Sequence, residues 1–158
     1  MKKTRIYIET SIVSYLTARM SRDLIVAARQ QITQEWWDNH QSKFEVYISE
    51  LVMQEAGIGD ADAVQRRLGV IAAMPRLQVN AHVIALAKQI VRDHALPSKA
   101  IADATHIALA VVHQMEYLLT WNCKHIANAQ LQKGIWSVIQ QQGYPIPILC
   151  TPEELMGV

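Results

Sequence analysis

Four polar residues, each beside an apolar run, are placed to do chemistry in this sequence: Glu9, Glu55, Asp103 and Asn122. Glu9 opens Glu9-Thr10-Ser11 directly after Ile6-Tyr7-Ile8, and Glu55 ends the stretch Ser49-Glu50-Leu51-Val52-Met53-Gln54-Glu55. Asp103 stands near the start of Ala102–Ala110, and Asn122 follows Tyr117-Leu118-Leu119-Thr120-Trp121. Carboxylates drawn from separated segments to one place repel one another, and a hard divalent cation removes that cost. Mg²⁺ and Mn²⁺ prefer oxygen ligands and keep several waters, one of which can become the nucleophile on a phosphodiester. Taken singly, the same residues have plainer readings. Glu9 could end a strand in solvent, Asp103 could be a helix-start charge favoured by the macrodipole, and Glu55 could be a surface acid.

Convergence depends on the elements that carry these residues. Arg5-Ile6-Tyr7-Ile8 is short and rich in strand formers, and Phe44 to Ile48 reads as a second strand. Between them Ile25, Ala28, Ile32 and Trp36 recur at helical spacing. Ser49 can cap the helix carrying Leu51, Val52 and Glu55; Gly57 and Gly59 break it, and Asp60 can cap the next, with Ala61, Val64, Leu68 and Ile71 as its apolar face. Leu77-Gln78-Val79 predicts a brief strand, and Asn80 opens a helix with Val83, Ile84, Ala87, Ile90 and Val91 on its buried side. Ala104, Ala108, Val111 and Met115 mark another helix. Tyr117–Trp121 is a continuous apolar run of the kind buried in a parallel sheet. A helix across Ala129–Gln141 follows, and Ile146–Cys150 reads as an edge strand because proline is tolerated there. Strands separated by helices imply an α/β fold with a mainly parallel sheet. In such sheets sites form beyond the carboxyl ends of strands, where Glu9 and Asn122 fall.

Composition bounds the rest. The 158 residues suit one domain spanning 1–158, with about half of them hydrophobic and no low-complexity stretch, repeat or linker. No apolar run approaches the roughly 18 residues that cross a bilayer, so no membrane partner is expected. The basic start Met1-Lys2-Lys3-Thr4-Arg5 is followed by too short an apolar run for a signal peptide. Cys123 and Cys150 form no CxxC pair and read as free thiols of a reducing cytoplasm. Residues 1–30 carry six bases against two acids, so a basic end could meet phosphates while the acidic remainder holds cations. Scattered, solvated charge is the simpler reading of that asymmetry.

Taken together, Tyr7-Ile8-Glu9-Thr10-Ser11, Ser49–Glu55, Ala102-Asp103-Ala104-Thr105-His106-Ile107-Ala108-Leu109-Ala110 and Leu118-Leu119-Thr120-Trp121-Asn122 resemble, in order and context, the motifs of PIN domains. The likeness extends to the closing Thr151-Pro152-Glu153-Glu154-Leu155 and is to the VapC-type toxin branch; Ala102–Ala110 is its most specific piece. It implies a three-layer α/β/α fold and an acidic Mg²⁺ or Mn²⁺ site that hydrolyses RNA. It also implies a homodimer, and a small antitoxin protein encoded alongside. By position Glu9, Glu55 and Asp103 match the three acids, and Asn122 the place of a fourth. Ser11 resembles the hydroxyl that accompanies the first acid, with Thr10 a weaker candidate, and His106 would support the site from behind or serve packing. Two departures stand out: the first acid is Glu where Asp is usual, and Asn122 is neutral. The alternative they raise is a PIN fold that binds RNA or a protein partner without cutting.

Other residues read as structural. His106, His113, Cys123 and His125 could suit zinc, but their spacing fits no compact motif. Trp36 and Trp37 could stack on bases, though a buried helix face or a partner interface accounts better for them. Arg66 and Arg67 read as a solvated helix face. Basic residues near the N-terminus, with Lys99 and Lys124, are the expected contacts to an RNA backbone. No phosphate-binding glycine loop occurs, and no nucleophile motif supports a small-ester phosphohydrolase.

Overall fold

Alternating apolar strands and helices build one five-stranded sheet in the computed structural model, which describes residues 1–157; Val158, the end of the expected 1–158 unit, lies outside the described residues. In chain order the elements are β1 (Thr4–Ile8), α1 (Thr10–Thr17), α2 (Leu24–Asn39), β2 (Phe44–Ser49), α3 (Glu50–Ala56), α4 (Ala61–Ile71), β3 (Arg76–Leu77), α5 (Ala81–Arg92), α6 (Ile101–Val112), β4 (Tyr117–Leu119), α7 (Ala129–Gln141) and β5 (Ile148–Cys150). The sheet order is β3-β2-β1-β4-β5, and every pair is parallel. All carboxyl ends therefore lie along one edge. The order reverses at β1, which pairs with β2 on one side and β4 on the other. That reversal opens a crevice beyond the strand ends, where ligands of such sheets bind.

Ile6, Tyr7 and Ile8 are fully buried although consecutive strand residues point to opposite faces, so both faces of β1 are covered. Helices α1 to α4 pack among themselves and α5 packs on α6 and α7, giving the three-layer α/β/α sandwich. Asp23, Ser49, Asp60, Asn80 and Asn128 each accept a backbone N–H at the start of their helix. Each such cap stabilises by about 1 kcal/mol. No helix among the described residues is long and apolar enough to cross a membrane. Cys123 is exposed and Cys150 buried, both free; burial, then the Glu154 charge, pushes the Cys150 thiol up to about 12.

Several expectations shift. Helix α1 was not anticipated, because Thr10 and Ser11 look like a loop; Ile12 and Val13 bury its apolar side and hold it on the core. Strand β4 ends at Leu119, and Thr120 and Trp121 run on as buried irregular chain. On α2, Ile25 is 67% exposed and Ala28 is exposed too, while Gln30, Thr33 and Trp36 are buried. The rotation follows from polar partners: Gln30 bonds the Arg19 carbonyl and Ser21 N–H, and Thr33 accepts the Trp121 indole N–H at 2.7 Å. On α5, Ile84 faces out and Leu86 takes the buried place; on α4 only Ile71 is fully buried, and Ala61 is exposed.

Candidate functional site

Glu9 is the first residue beyond β1, and its backbone N–H donates to the Leu119 carbonyl at 3.0 Å, extending the ladder by one step. That pairing aims its side chain into the crevice between β1 and β4. The residue is only 6% exposed. Its Oε1 accepts from the Ser11 hydroxyl and from the Thr120 hydroxyl, the latter at 2.6 Å. The donors are held in turn: Ser11 Oγ accepts the Trp121 N–H at 2.8 Å, and Thr120 Oγ1 accepts the Asn122 N–H at 2.9 Å. Two fixed hydroxyls thus set the orientation of a glutamate with one methylene more than aspartate, and among the described residues Oε2 has no hydrogen-bond partner.

Glu55 arrives from the end of α3, which Ser49 starts in register by accepting the Val52 N–H at 3.0 Å. Its Oε1 accepts from the Thr10 hydroxyl at 2.6 Å and lies 2.6 Å from His106 Nε2. A carboxylate only accepts, so Nε2 carries a proton. In the neutral ring Nδ1 is then an acceptor, and Tyr7 O–H donates to it at 2.6 Å, with Ser49 O–H donating to the tyrosine oxygen at 2.8 Å. The chain Ser49–Tyr7–His106–Glu55 is complete and, up to the carboxylate, buried. Burial lifts the Tyr7 phenol well above its ordinary 10, against the opposing Ser49 hydrogen bond and with help from the charges of Glu9 and Glu55, so Tyr7 stays a donor. Burial also pushes Glu55 up, but the His106 hydrogen bond, the positive charge that ring carries when protonated, and the Thr10 hydroxyl outweigh it, leaving Glu55 below its ordinary 4.5.

Asp103 sits in the first turn of α6, where the macrodipole favours it. Its Oδ2 lies 2.8 Å from His125 Nδ1. Asn122 does not turn its amide oxygen to the acids: Oδ1 accepts the His125 backbone N–H at 3.0 Å, and Nδ2 is left as its free polar group. Glu9 Oε2 is 4.0 Å from His106 Nε2, and one ligand atom each of Glu9, Glu55 and His106 lie within 4.8 Å of one another. Asp103 falls outside that tight group. Among the described residues, every ion pair of Glu9, Glu55 and Asp103 is to a histidine, none to Lys or Arg. Two close carboxylates, one of them buried and each with an uncommitted oxygen, form an acidic group suited to a divalent cation.

The basic residues are distributed differently from the expectation. Lys3 donates to the Ser42 carbonyl, and the Arg5 guanidinium to the carbonyls of His113 and Gln114, at the amino end of β1 and away from the crevice. Arg66 and Arg67 bond backbone carbonyls of residues 17, 56 and 58, so they serve the fold. Arg29 lies over the Trp121 ring, 5.2 Å from its centre, beside the chain that continues from β4. His113 bonds the Gln78 carbonyl, so the three histidines considered for zinc have separate partners, and Cys123 is a free, exposed thiol. Trp36 is buried beside Phe44.

Against known proteins, the model of the PIN domain matches residues 6–126, most of the chain, a span that includes Glu9, Glu55, Asp103 and Asn122. The chain belongs to the PIN-domain family. Among solved structures, this PIN domain is similar to the Mycobacterium tuberculosis toxin VapC20, described as cleaving the sarcin–ricin loop. The identity is 15% and the TM-score 0.59, over 89% of this chain and 96% of that one. It is also similar to VapBC2 of Rickettsia felis, bound to a DNA fragment of its promoter, at 13% identity and TM-score 0.52 over 94% and 98% of the two chains. At these identities the likeness is one of fold. No curated protein matches the chain.

Sequence reasoning singled out Glu9, Glu55, Asp103, Asn122, Ser11 and His106, and considered Thr10; it passed over Tyr7, Thr120 and, as a partner of Asp103, His125. Signals for them were present. A tyrosine inside a buried strand needs a hydrogen-bond partner for its hydroxyl. Asn122 three residues before His125 has the spacing at which a side-chain oxygen caps a backbone N–H.

Proposed function

We propose that this protein is a metal-dependent endoribonuclease acting as the toxin of a toxin–antitoxin pair. One observation carries the reading: Glu9 and Glu55 meet at the carboxyl edge of the sheet, each with an unbonded oxygen and neither with a Lys or Arg partner. Family membership and the likeness to VapC toxins support it. In this reading Glu9, Glu55 and Asp103 hold a Mg²⁺ or Mn²⁺ ion. The bound ion supplies Lewis acidity at the phosphate and a water of lowered pKa. The hydroxyls of Ser11 and Thr120 keep Glu9 oriented, and His106 keeps Glu55 oriented. The Asn122 amide nitrogen donates to a phosphate oxygen, while Arg29 and the exposed Lys99 and Lys124 attract the RNA backbone. The small antitoxin and a second copy of the chain are its expected partners, in the cytoplasm.

Purified protein should cut RNA with Mn²⁺ or Mg²⁺, stop in excess chelator, and lose most activity as Asp103→Asn. Cleavage undiminished by chelator rejects the metal mechanism; a folded Asp103→Asn protein cutting at the parental rate removes Asp103 from the site. Inhibition of the same assay by a small protein encoded beside the gene tests the antitoxin, and light scattering tests the dimer.

A further inference from the structure

Beyond β4 the chain makes a tight turn that touches both parts of the site from behind. The Asn122 carbonyl accepts the N–H groups of Ile126 and Ala127 at 3.2 and 2.9 Å, and Ile126 is fully buried. Asn122 Oδ1 accepts the N–H of His125, which directs that residue back toward α6. There its ring Nδ1 meets Asp103 Oδ2 at 2.8 Å, across 22 residues of sequence. At the other end of the turn Thr120 donates to Glu9 while receiving the Asn122 N–H. One short segment therefore grips Glu9 with a hydroxyl and Asp103 with an imidazole.

We propose that His125 is a positioning residue for Asp103, and that Asn122 acts on the metal site through His125 and not as a fourth ligand. This rests on the reading of Asp103 as a ligand. An aspartate on a helix start turns freely about two bonds; a donor fixed on Oδ2 leaves Oδ1 as the oxygen presented to the crevice. A mere structural tie is a poor account of the contact. The turn is already anchored by buried Ile126 and by the Asn122 backbone, and partly exposed pairs such as this one, with side chains 15% and 23% exposed, add little to stability. Donors behind a ligating carboxylate, by contrast, commonly govern metal affinity.

The test is Mn²⁺ binding by calorimetry without RNA, together with thermal melting. His125→Ala should weaken Mn²⁺ about 10- to 100-fold with little change in melting temperature. His125→Asn should recover most of the affinity, because its amide nitrogen reaches the place of Nδ1. His125→Gln should not, because its amide nitrogen reaches the place of Nε2. Asn122→Ala should shift affinity in the same direction by a smaller factor. Parental affinity in His125→Ala, with affinity lost in Asp103→Asn, overturns this inference and leaves the proposed function standing. Parental affinity in Asp103→Asn overturns this inference together with the reading of Asp103 as a ligand. Should His125→Ala fail to fold, equal affinities in the Asn and Gln variants overturn the role of Nδ1.

Discussion

The two parts of the site are built in opposite ways. Around Glu9 and Glu55 the donors are buried or half-buried, converge from β1, α1, β2, α6 and the end of β4, and form closed chains ending on one oxygen of each carboxylate. Around Asp103 there is one donor, His125, and both partners are partly open to solvent. The first part is rigid because its geometry is over-determined. The second depends on a single turn. Two carboxylates held close together repel and need enforced geometry, whereas an acid standing apart from them can be held by one contact and still move as substrate enters.

The largest effect should come from removing charge at the buried part. Glu9→Gln keeps an acceptor for Ser11 and Thr120 but deletes the buried anion. Mn²⁺ affinity should fall further than for any donor variant, beyond about 100-fold, while the metal-free protein melts at a higher temperature because like-charge repulsion is relieved. Calorimetry and melting in chelator check both signs; a lower melting temperature would mean that the carboxylate is stabilising and the buried part is not strained by charge.

A smaller effect is expected from Tyr7→Phe, which fills the same space but leaves His106 Nδ1 buried without its donor. It should cost about 1–3 kcal/mol in urea unfolding, the usual penalty for an orphaned buried polar atom. The corresponding loss of the His125 contact should be well below that, since solvent can replace it. Equal costs would erase the contrast between rigid and open parts.

The smallest effect concerns pH. Glu55 has a folded pKa below its ordinary 4.5, so its contacts contribute stability fully above that value, and the contribution is lost as pH falls through the folded pKa. In chelator, Glu55→Gln should be less stable than the parent at neutral pH, with the difference shrinking below about pH 4.5. A difference that stays constant down to acid pH would show that the Glu55 charge contributes nothing to the fold.

Much of the fold was legible because its signals are local. The strand formers of Arg5–Ile8 and Phe44–Ile48, the caps Ser49, Asp60 and Asn80, and the helix over Ala129–Gln141 all lie where expected. Misreadings arose where packing overrides local pattern. Ile25 and Ile84 continue apolar stripes that the helices turn outward, because Gln30 and Thr33 of α2 have buried partners and α5 buries Leu86 in place of Ile84. For the proposed site, Glu9, Glu55 and Asp103 could be named as candidates from their contexts, and the structure brings Glu9 and Glu55 together, but Lys3 and Arg5 could not be assigned to the wrong edge of the sheet without knowing where β1 begins and ends.

What the sequence by itself determined is the alternation of strands and helices, and hence a parallel α/β sheet whose carboxyl edge carries Glu9 and Asn122. Residue type also limited the chemistry, since ionised carboxylates accept hydrogen bonds, take up protons or bind cations. Only the tertiary structure decided which oxygens remain free. Ser11, Thr120, Thr10 and His106 claim Oε1 of the two glutamates, His125 claims Oδ2 of Asp103, and the turn after β4 claims the amide oxygen of Asn122. The reason is physical: a hydrogen bond depends on tenths of an ångström and on direction, and residues 45 to 111 positions apart acquire that relation only when the sheet order and the helix packing set their backbones in place.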